Sequence, residues 1–221
     1  MLVKTFMTRQ PFYISPDDNF PQAMSVIRKR KIRHLPVLER EKLVGIVVEK
    51  DLLTNQPSPA TTLSLYEIYS LLETLRIRQI MTRPVITVEG DCPLEEAARI
   101  MIENKISCLP VMDGEKLVGI ITETDIFKVL VRVLGGQEEG IRLTLCLPDQ
   151  AGVLASISQQ IADAGGNIVA VTTISVEDNQ RETMIKETGA DREKLEALLE
   201  KRGVEVLDLR DTALYEPRLF G

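Results

Sequence analysis

The chain has 221 residues, with 27 Lys plus Arg against 33 Asp plus Glu, a single His, three Cys, no Trp and 4% aromatics. That length suits one large or two to three small domains, and 44% hydrophobic with 27% charged residues is the composition of a globular protein rather than a disordered or membrane one. A net charge of −6 and few aromatics argue against nucleic-acid binding, which needs surplus cations and stacking platforms, while Cys92, Cys108 and Cys146 have no CxxC spacing for a disulfide framework or a zinc site.

In chain order, the opening MLVKTFMTRQ lacks the apolar core of a secretion signal. The longest apolar stretches, such as LVGIVV at 43–48, are too short to span a bilayer. A cytoplasmic protein with no membrane partner is expected. The chain then repeats itself at an offset of 74: residues 7–53 match 81–127 with 18 identities in 47 positions and no gap. Each copy has a short strand, at Phe12–Ile14 or Val85–Val88. Asp/Asn/Pro start signals follow, and then an apolar helix stripe: Phe20, Ala23, Met24 and Ile27, or Leu94, Ala97, Ala98 and Met101. A hairpin comes next, LPVL to LVGIVV or LPVM to LVGIIT, rich in β-branched residues. A second helix closes each copy, clearest at Glu123–Leu134 with Gly135–Gly136 as its cap. The copies are joined by a Pro/Ser/Thr stretch (54–62) and a helical patch with Leu65, Ile68, Tyr69, Leu72 and Leu75 on one side, expected to pack on the pair or on a second subunit.

The doubled pattern of MTR, LPV and G-h-h-T-x-x-D resembles tandem cystathionine-β-synthase (CBS) domains over about 1–135. The resemblance implies a non-catalytic sensor that binds an adenosine nucleotide (AMP, ADP or ATP) or S-adenosylmethionine between the repeats. The motif is complete in the second copy, Gly119-Ile-Ile-Thr122-Glu-Thr-Asp125. Thr122 ends a strand where a helix begins, and helix N-terminal amides favour phosphate. Asp125, an acceptor, suits ribose hydroxyls, and Gly119 permits close approach of another backbone or a flat base. Thr122-x-x-Asp125 is equally a capping box. In the first copy the hydroxyl is gone at Val48 while Asp51 remains, which reciprocal capping would not obviously require. By the same resemblance the base lies against Val85, Ile86, Ser107 and Cys108, with Arg33 and His34 at the first copy's equivalents of Ser107 and Cys108. The basic run RKRKIR (28–33) ends a helix, where cations complement the dipole. Residues 1–56 carry net +4 against −5 for 57–140 and −5 for 141–211, so Arg33 is the expected phosphate partner.

Beyond 140 the pattern changes to strand (Ile141–Leu147), helix (from PDQAGVL, with Leu154, Ile157 and Ile161 on one face), strand (from Asn167), edge strand (Arg181–Glu187), helix (Asp191–Arg202) and strand (Val204–Leu209). This βαββαβ order is ferredoxin-like. With Asp149-x-x-Gly152-x-Leu154 and GGNI at 165–168, the region 139–211 resembles an ACT domain, which implies a possible amino-acid effector touching Asp149, Gly152, Leu154 and Asn167. The plainer reading makes Asp149 a helix cap, Gly152 a close-packing site and Asn167 a turn residue.

The expected chain is therefore α/β (α+β): CBS repeats at 1–56 and 77–135, a linker with helix at 57–76, a short linker at 136–140, the ACT domain at 141–211 and a tail at 212–221. The whole arrangement resembles AcuB-type acetoin-utilisation regulatory proteins, which implies a homodimeric regulator of acetoin or acetyl-CoA metabolism acting on a partner enzyme. The alternative is a structural dimerisation or scaffold protein without a ligand. One His with no nucleophile or carboxylate in its motif, and no Gly-rich phosphate loop, speaks against an enzyme or a catalytic cofactor.

Overall fold

The computed structural model describes residues 1–56, 64–175 and 179–212; most of the Pro/Ser/Thr linker and the tail beyond 212 lie outside them. The chain divides into two compact units, Met1–Ile126 and Phe127–Gly221.

The first unit holds both repeats. The first copy contains α1 (Val3–Phe6), β1 (Thr8–Arg9), α2 (Phe20–Arg30), β2 (His34–Glu39), β3 (Lys42–Val48) and α3 (Glu49–Thr54). After the linker helix α4 (Leu65–Thr74), the second copy supplies β4 (Val88–Glu89), α5 (Leu94–Asn104), β5 (Cys108–Asp113), β6 (Lys116–Thr122) and the start of α6 (Glu123–Val133). The expected stripes point inward: Phe20, Ala23, Met24 and Ile27 are buried on α2, and Leu94, Ala97 and Met101 on α5. The cations Arg28, Lys29 and Arg30 occupy the last turn of α2, and Lys31 caps it in the left-handed region (φ 52°). Arg30 also lies over the Phe12 ring, 4.5 Å from its centroid. Of the α4 patch, Leu72 and Leu75 pack on the first core, whereas Leu65 and Tyr69 are exposed.

The opening segments of the two repeats are exchanged. Val3 and Lys4 donate backbone hydrogen bonds to Cys92 and Gly90 in the second copy, and their counterparts Ile77 and Arg78 donate to Asp18 and Pro16 in the first. In the same way β1 pairs with β6 (Thr8↔Ile120), and Thr82 bridges Ile46 on β3. The expected short strands, by contrast, pair within their own copies and in reduced form. Val88 pairs in parallel with Val111, and of Phe12–Ile14 only Ile14 forms a bridge, to Val37.

The exchange explains two glycines. A Cβ on Gly119 would clash with Met7 Sδ, and one on Gly45 with Met81 Sδ. Each hairpin lacks a side chain where the other copy's methionine crosses it.

The second unit, past the end of α6, contains β7 (Gly140–Pro148), α7 (Val153–Asp163), β8 (Asn167–Ser175), β9 (Gln180–Thr188), α8 (Arg192–Lys201) and β10 (Glu205–Thr212). The sheet order is β10-β7-β9-β8, all antiparallel, which is the ferredoxin-like arrangement. Leu143, Leu145, Ile161, Ile185, Leu195 and Leu199 fill the core between sheet and helices. The segment 181–187 was expected at an edge, but β9 is interior, paired with both β7 and β8. Its mixed polar pattern hid this: Thr183, Lys186 and Glu187 are buried polar residues, so the strand does not read as a continuous apolar run.

Candidate functional site

A cleft of about 710 Å³ opens between the repeats. The first copy contributes Arg33, His34, Val48 and Asp51, and the second contributes Val85, Ile86, Ser107 and Cys108. All of these but Val48 are expected site residues, so seven of the expected residues line one space. Residues that the motifs did not single out complete it: Ile46, Thr82, Pro84 and Pro110 add apolar and backbone surface, and Lys50 and Lys105 add cations.

The partner acid differs from the expected one. Val85, Ile86, Ser107 and Cys108 were grouped with Thr122 and Asp125 of their own copy, yet the cleft they line is finished by Asp51 of the other copy, and Thr122, Asp125 and Gly119 are not among its walls. The segment exchange is the cause, because it carries the residues ahead of each short strand, up to Arg9 or Thr82, onto the neighbouring repeat. Its signal in the sequence is the pair of MTR segments preceding each copy, which says that the segments are equivalent but not which hairpin each joins.

Both acids hold a strand-to-helix junction. Thr122 donates its backbone N–H (3.0 Å) and its hydroxyl (2.7 Å) to Asp125 Oδ2, and Asp125 N–H donates back to Thr122 Oγ1 (3.3 Å). The capping box is thus formed. In the first copy Val48 N–H donates to Asp51 Oδ2 (3.2 Å), so an acid retained without its hydroxyl partner still satisfies an orphan donor. Capping accounts for more of Asp51 than the sequence suggested. Gly119 is buried, with the Met7 side chain and the Thr8 carbonyl against its Cα, so its close approach is to another segment of this chain.

His34 Nε2 and Ser107 Oγ are 2.8 Å apart across the two repeats. Burial, reinforced by the adjacent Arg33 guanidinium, pulls the imidazole down to about 4 against the opposing pull of Asp125. It is neutral at pH 7 and holds no charge for general acid work. Cys108 is 5% exposed and packs with Ile46, Ile120 and Val85. Burial pushes its thiol up to about 12, which makes it a small apolar wall rather than a nucleophile. Arg33 is exposed, and its Nη2 donates to Thr124 Oγ1 at 3.0 Å.

In the second unit the four expected residues do not converge. Asp149 Oδ1 is 2.7 Å from Arg181 Nε and its Oδ2 accepts from Arg181 Nη2 at 2.8 Å, which holds its carboxyl below the usual carboxylate range. Gly152, at φ 85°, takes the N-cap position of α7 that the plainer reading gave to Asp149. Leu154 on the first turn is 44% exposed. Asn167 begins β8, beside Thr188, at the other end of the 11-residue α7, about 16 Å of helix away.

The chain matches the CBS domain over residues 3–57 and 77–132, half of its length. It belongs to the CBS-domain family. Residues 139–210 match the TTHA0829-like ACT domain, so the CBS pair is followed by an ACT-like domain. Among solved structures, a putative acetoin utilization protein (AcuB) from Vibrio cholerae is 32% identical, covers 62% of this chain and 95% of its own, and has a TM-score of 0.51. The CBS domain pair of protein MJ0100, in complex with 5-methylthioadenosine and S-adenosyl-L-methionine, is 29% identical over 62% of this chain and 98% of that one, with a TM-score of 0.50. CBSX2 in complex with AMP is 27% identical over 60% and 97%, with a TM-score of 0.51.

Proposed function

We propose that this CBS-domain protein is a non-catalytic regulatory sensor whose CBS pair binds an adenosine nucleotide or S-adenosylmethionine. The observation that carries the reading is the composition of the cleft: apolar surface from Val85, Ile86 and Cys108, an acid at Asp51, and cations at Arg33, Lys50 and Lys105 among its lining residues. A purine seats on apolar surface, a ribose hydroxyl donates to a carboxylate, and phosphate pairs with the cations. The complexes of MJ0100 with S-adenosylmethionine and of CBSX2 with AMP support the same ligand class. The 74-residue offset relates Asp125 to Asp51, so an equivalent role for Asp125, with Thr122 and Gly119, at a second ligand position is part of the same proposal.

Ligand binding would shift the population between arrangements of the repeats and so alter the surface offered to a regulated enzyme. The likeness to a putative acetoin utilization protein (AcuB) supports a role in acetoin metabolism, and a cytoplasmic homodimer acting on acetoin or acetyl-CoA metabolism is part of the same proposal. An amino-acid effector at the ACT-like domain would require Asp149–Leu154 of one copy to meet Asn167 of another, since one chain holds them at opposite ends of α7.

Thermal unfolding with AMP, ADP, ATP, S-adenosylmethionine and a panel of amino acids tests the reading. A ligand at 100 times its Kd stabilises by about 2.7 kcal/mol. Asp51→Ala should reduce the adenosine-dependent shift, and no shift with any adenosine compound would leave the scaffold reading in its place.

A further inference from the structure

The linker helix α4 carries an apolar stripe that its own fold uses only in part. Leu72 and Leu75 pack on the first core. Leu65 and Tyr69, on the same side, are 77% and 65% exposed, and Tyr66 beside them is 84% exposed. The helix is nonetheless firmly started, because Ser64 N–H donates to Glu67 Oε2 (2.8 Å) while Glu67 N–H donates to Ser64 Oγ, a capping box that holds the ridge in shape. It contains no cation, and its two acids are Glu67, tied back to Ser64, and Glu73, whereas a solvated helix face is normally rich in charge. Glu73 lies one turn on from Tyr69 and on the same face. There a groove of about 560 Å³ opens where α2 and α4 meet, lined by Glu73 and, from α2, by Pro21, Gln22, Ser25 and Val26. An apolar ridge and a groove thus adjoin on one surface.

We propose that this surface is the contact with a second copy of the chain, the ridge of Leu65, Tyr66 and Tyr69 on each copy seating in the α2–α4 groove of the other. A two-fold contact is built from one patch that is complementary to itself. A ridge beside a groove meets that condition, and a ridge alone does not. The size fits as well: two tyrosines cover about 300–500 Å², and Leu65 with the groove walls brings the patch towards the roughly 800 Å² that each partner of a standard interface buries. Charge sets the direction. With two α4 helices antiparallel about Tyr69, Leu65 and Tyr66 of one lie at the Glu73 end of the other, and the two Glu73 positions stand about 12 Å apart along the axis. Parallel helices would set the same carboxylates side by side. In the groove, Ser25 and Gln22 offer hydrogen-bonding partners to a tyrosine hydroxyl. This rests on the homodimeric part of the functional reading and goes beyond it, because it assigns the contact to named side chains.

Sedimentation equilibrium of the full chain, without ligand, tests this. The unsubstituted protein should be a dimer, and the double substitution Tyr66→Ala with Tyr69→Ala should raise its dissociation constant by about 100-fold or more, as the loss of two aromatic anchors does. Ser25→Arg, which fills the groove from α2, should weaken the dimer without touching the ridge. Leu71→Ala, on the other flank of α4 and 52% exposed, should leave the constant unchanged. None of these side chains is buried, so the far-UV circular dichroism of each variant should match that of the unsubstituted chain. Tyr69→Cys, beside the two-fold axis, should give a disulfide-linked dimer on mild oxidation that the unsubstituted chain, with its own three cysteines, does not give. A dimer indifferent to the tyrosine pair or to Ser25→Arg, or one weakened as much by Leu71→Ala, would overturn this surface and leave the homodimer in place. A monomer at every concentration reached would overturn both, with the adenosine sensor still decided by its own ligand shifts.

Discussion

His34 Nε2 meets Ser107 Oγ at 2.8 Å, and the pair joins positions that are not equivalents: the 74-residue offset relates His34 to Cys108 and Ser107 to Arg33. The repeat symmetry is therefore broken at the seam between the copies. One half of the seam is a hydrogen-bonded imidazole, and the other is a buried thiol.

The neutral state of His34 makes stability depend on pH. Its folded value of about 4 lies below the ordinary 6.5. The folded state therefore binds fewer protons, and the stabilisation is present above about pH 6.5 and lost as pH falls towards 4. Between pH 7.5 and 5 the loss from this group should be about 1–2 kcal/mol after allowance for partial solvent access. Urea denaturation at the two pH values, compared with His34→Gln, checks it. An equal pH dependence in the variant would show that the imidazole is not the group responsible.

Cys108 should be the least reactive of the three thiols. It is buried with its thiol pushed up to about 12, whereas Cys92 and Cys146 are partly exposed. Labelling with a thiol reagent at pH 8 should modify Cys108 only on unfolding, read by peptide mass spectrometry. Cys108→Ser should cost about 1–3 kcal/mol by placing a hydroxyl among Ile46, Ile120 and Val85. Labelling of native Cys108 at the rate of Cys92 would contradict the packing.

The two hairpin glycines should differ in tolerance. The three atoms nearest to a Cβ at Gly45 all belong to the Met81 side chain, while at Gly119 the Thr8 carbonyl oxygen, at 3.1 Å, is among them. Gly119→Ala should destabilise by about 1–3 kcal/mol and Gly45→Ala by less, since a thioether chain can rotate away. Adding Met7→Ala to Gly119→Ala should relieve the side-chain clash but not the carbonyl contact. Equal melting temperatures for the two glycine variants would refute this account of the crossing.

Val48→Thr should repair the first capping box. Val48 occupies the N-cap of α3 with no side-chain acceptor of its own, and Asp51 already receives its backbone N–H. The Thr122–Asp125 junction provides the geometry to copy. A gain of about 0.5–1 kcal/mol is expected, seen as a rise in Tm, together with tighter phosphate-bearing ligands if the added hydroxyl faces the cleft. A lower Tm would mean that the half-buried valine is worth more as packing than as a cap.

The sequence by itself determined a great deal about this chain. The gapless repeat fixed two equivalent copies, the i, i+3, i+4 stripes of Phe20–Ile27 and Leu94–Met101 fixed which helix faces are buried, and the element order after 140 fixed a ferredoxin-like fold. These features are local periodicities, and burial follows them directly. Only the tertiary structure decided which segments meet. An internal offset relates Val85 to Pro11 and Asp51 to Asp125, but it cannot say whether the MTR segment ahead of each short strand folds back on its own hairpin or crosses to the other, since both choices satisfy the same hydrogen-bonding groups. The crossing, held by backbone pairs such as Val3 to Cys92 and Ile77 to Asp18, brought Val85 into the cleft that Asp51 lines. In the ACT-like unit, likewise, the ladder on both sides of β9 placed a polar-patterned strand inside the sheet, and α7 held Asp149 and Asn167 apart.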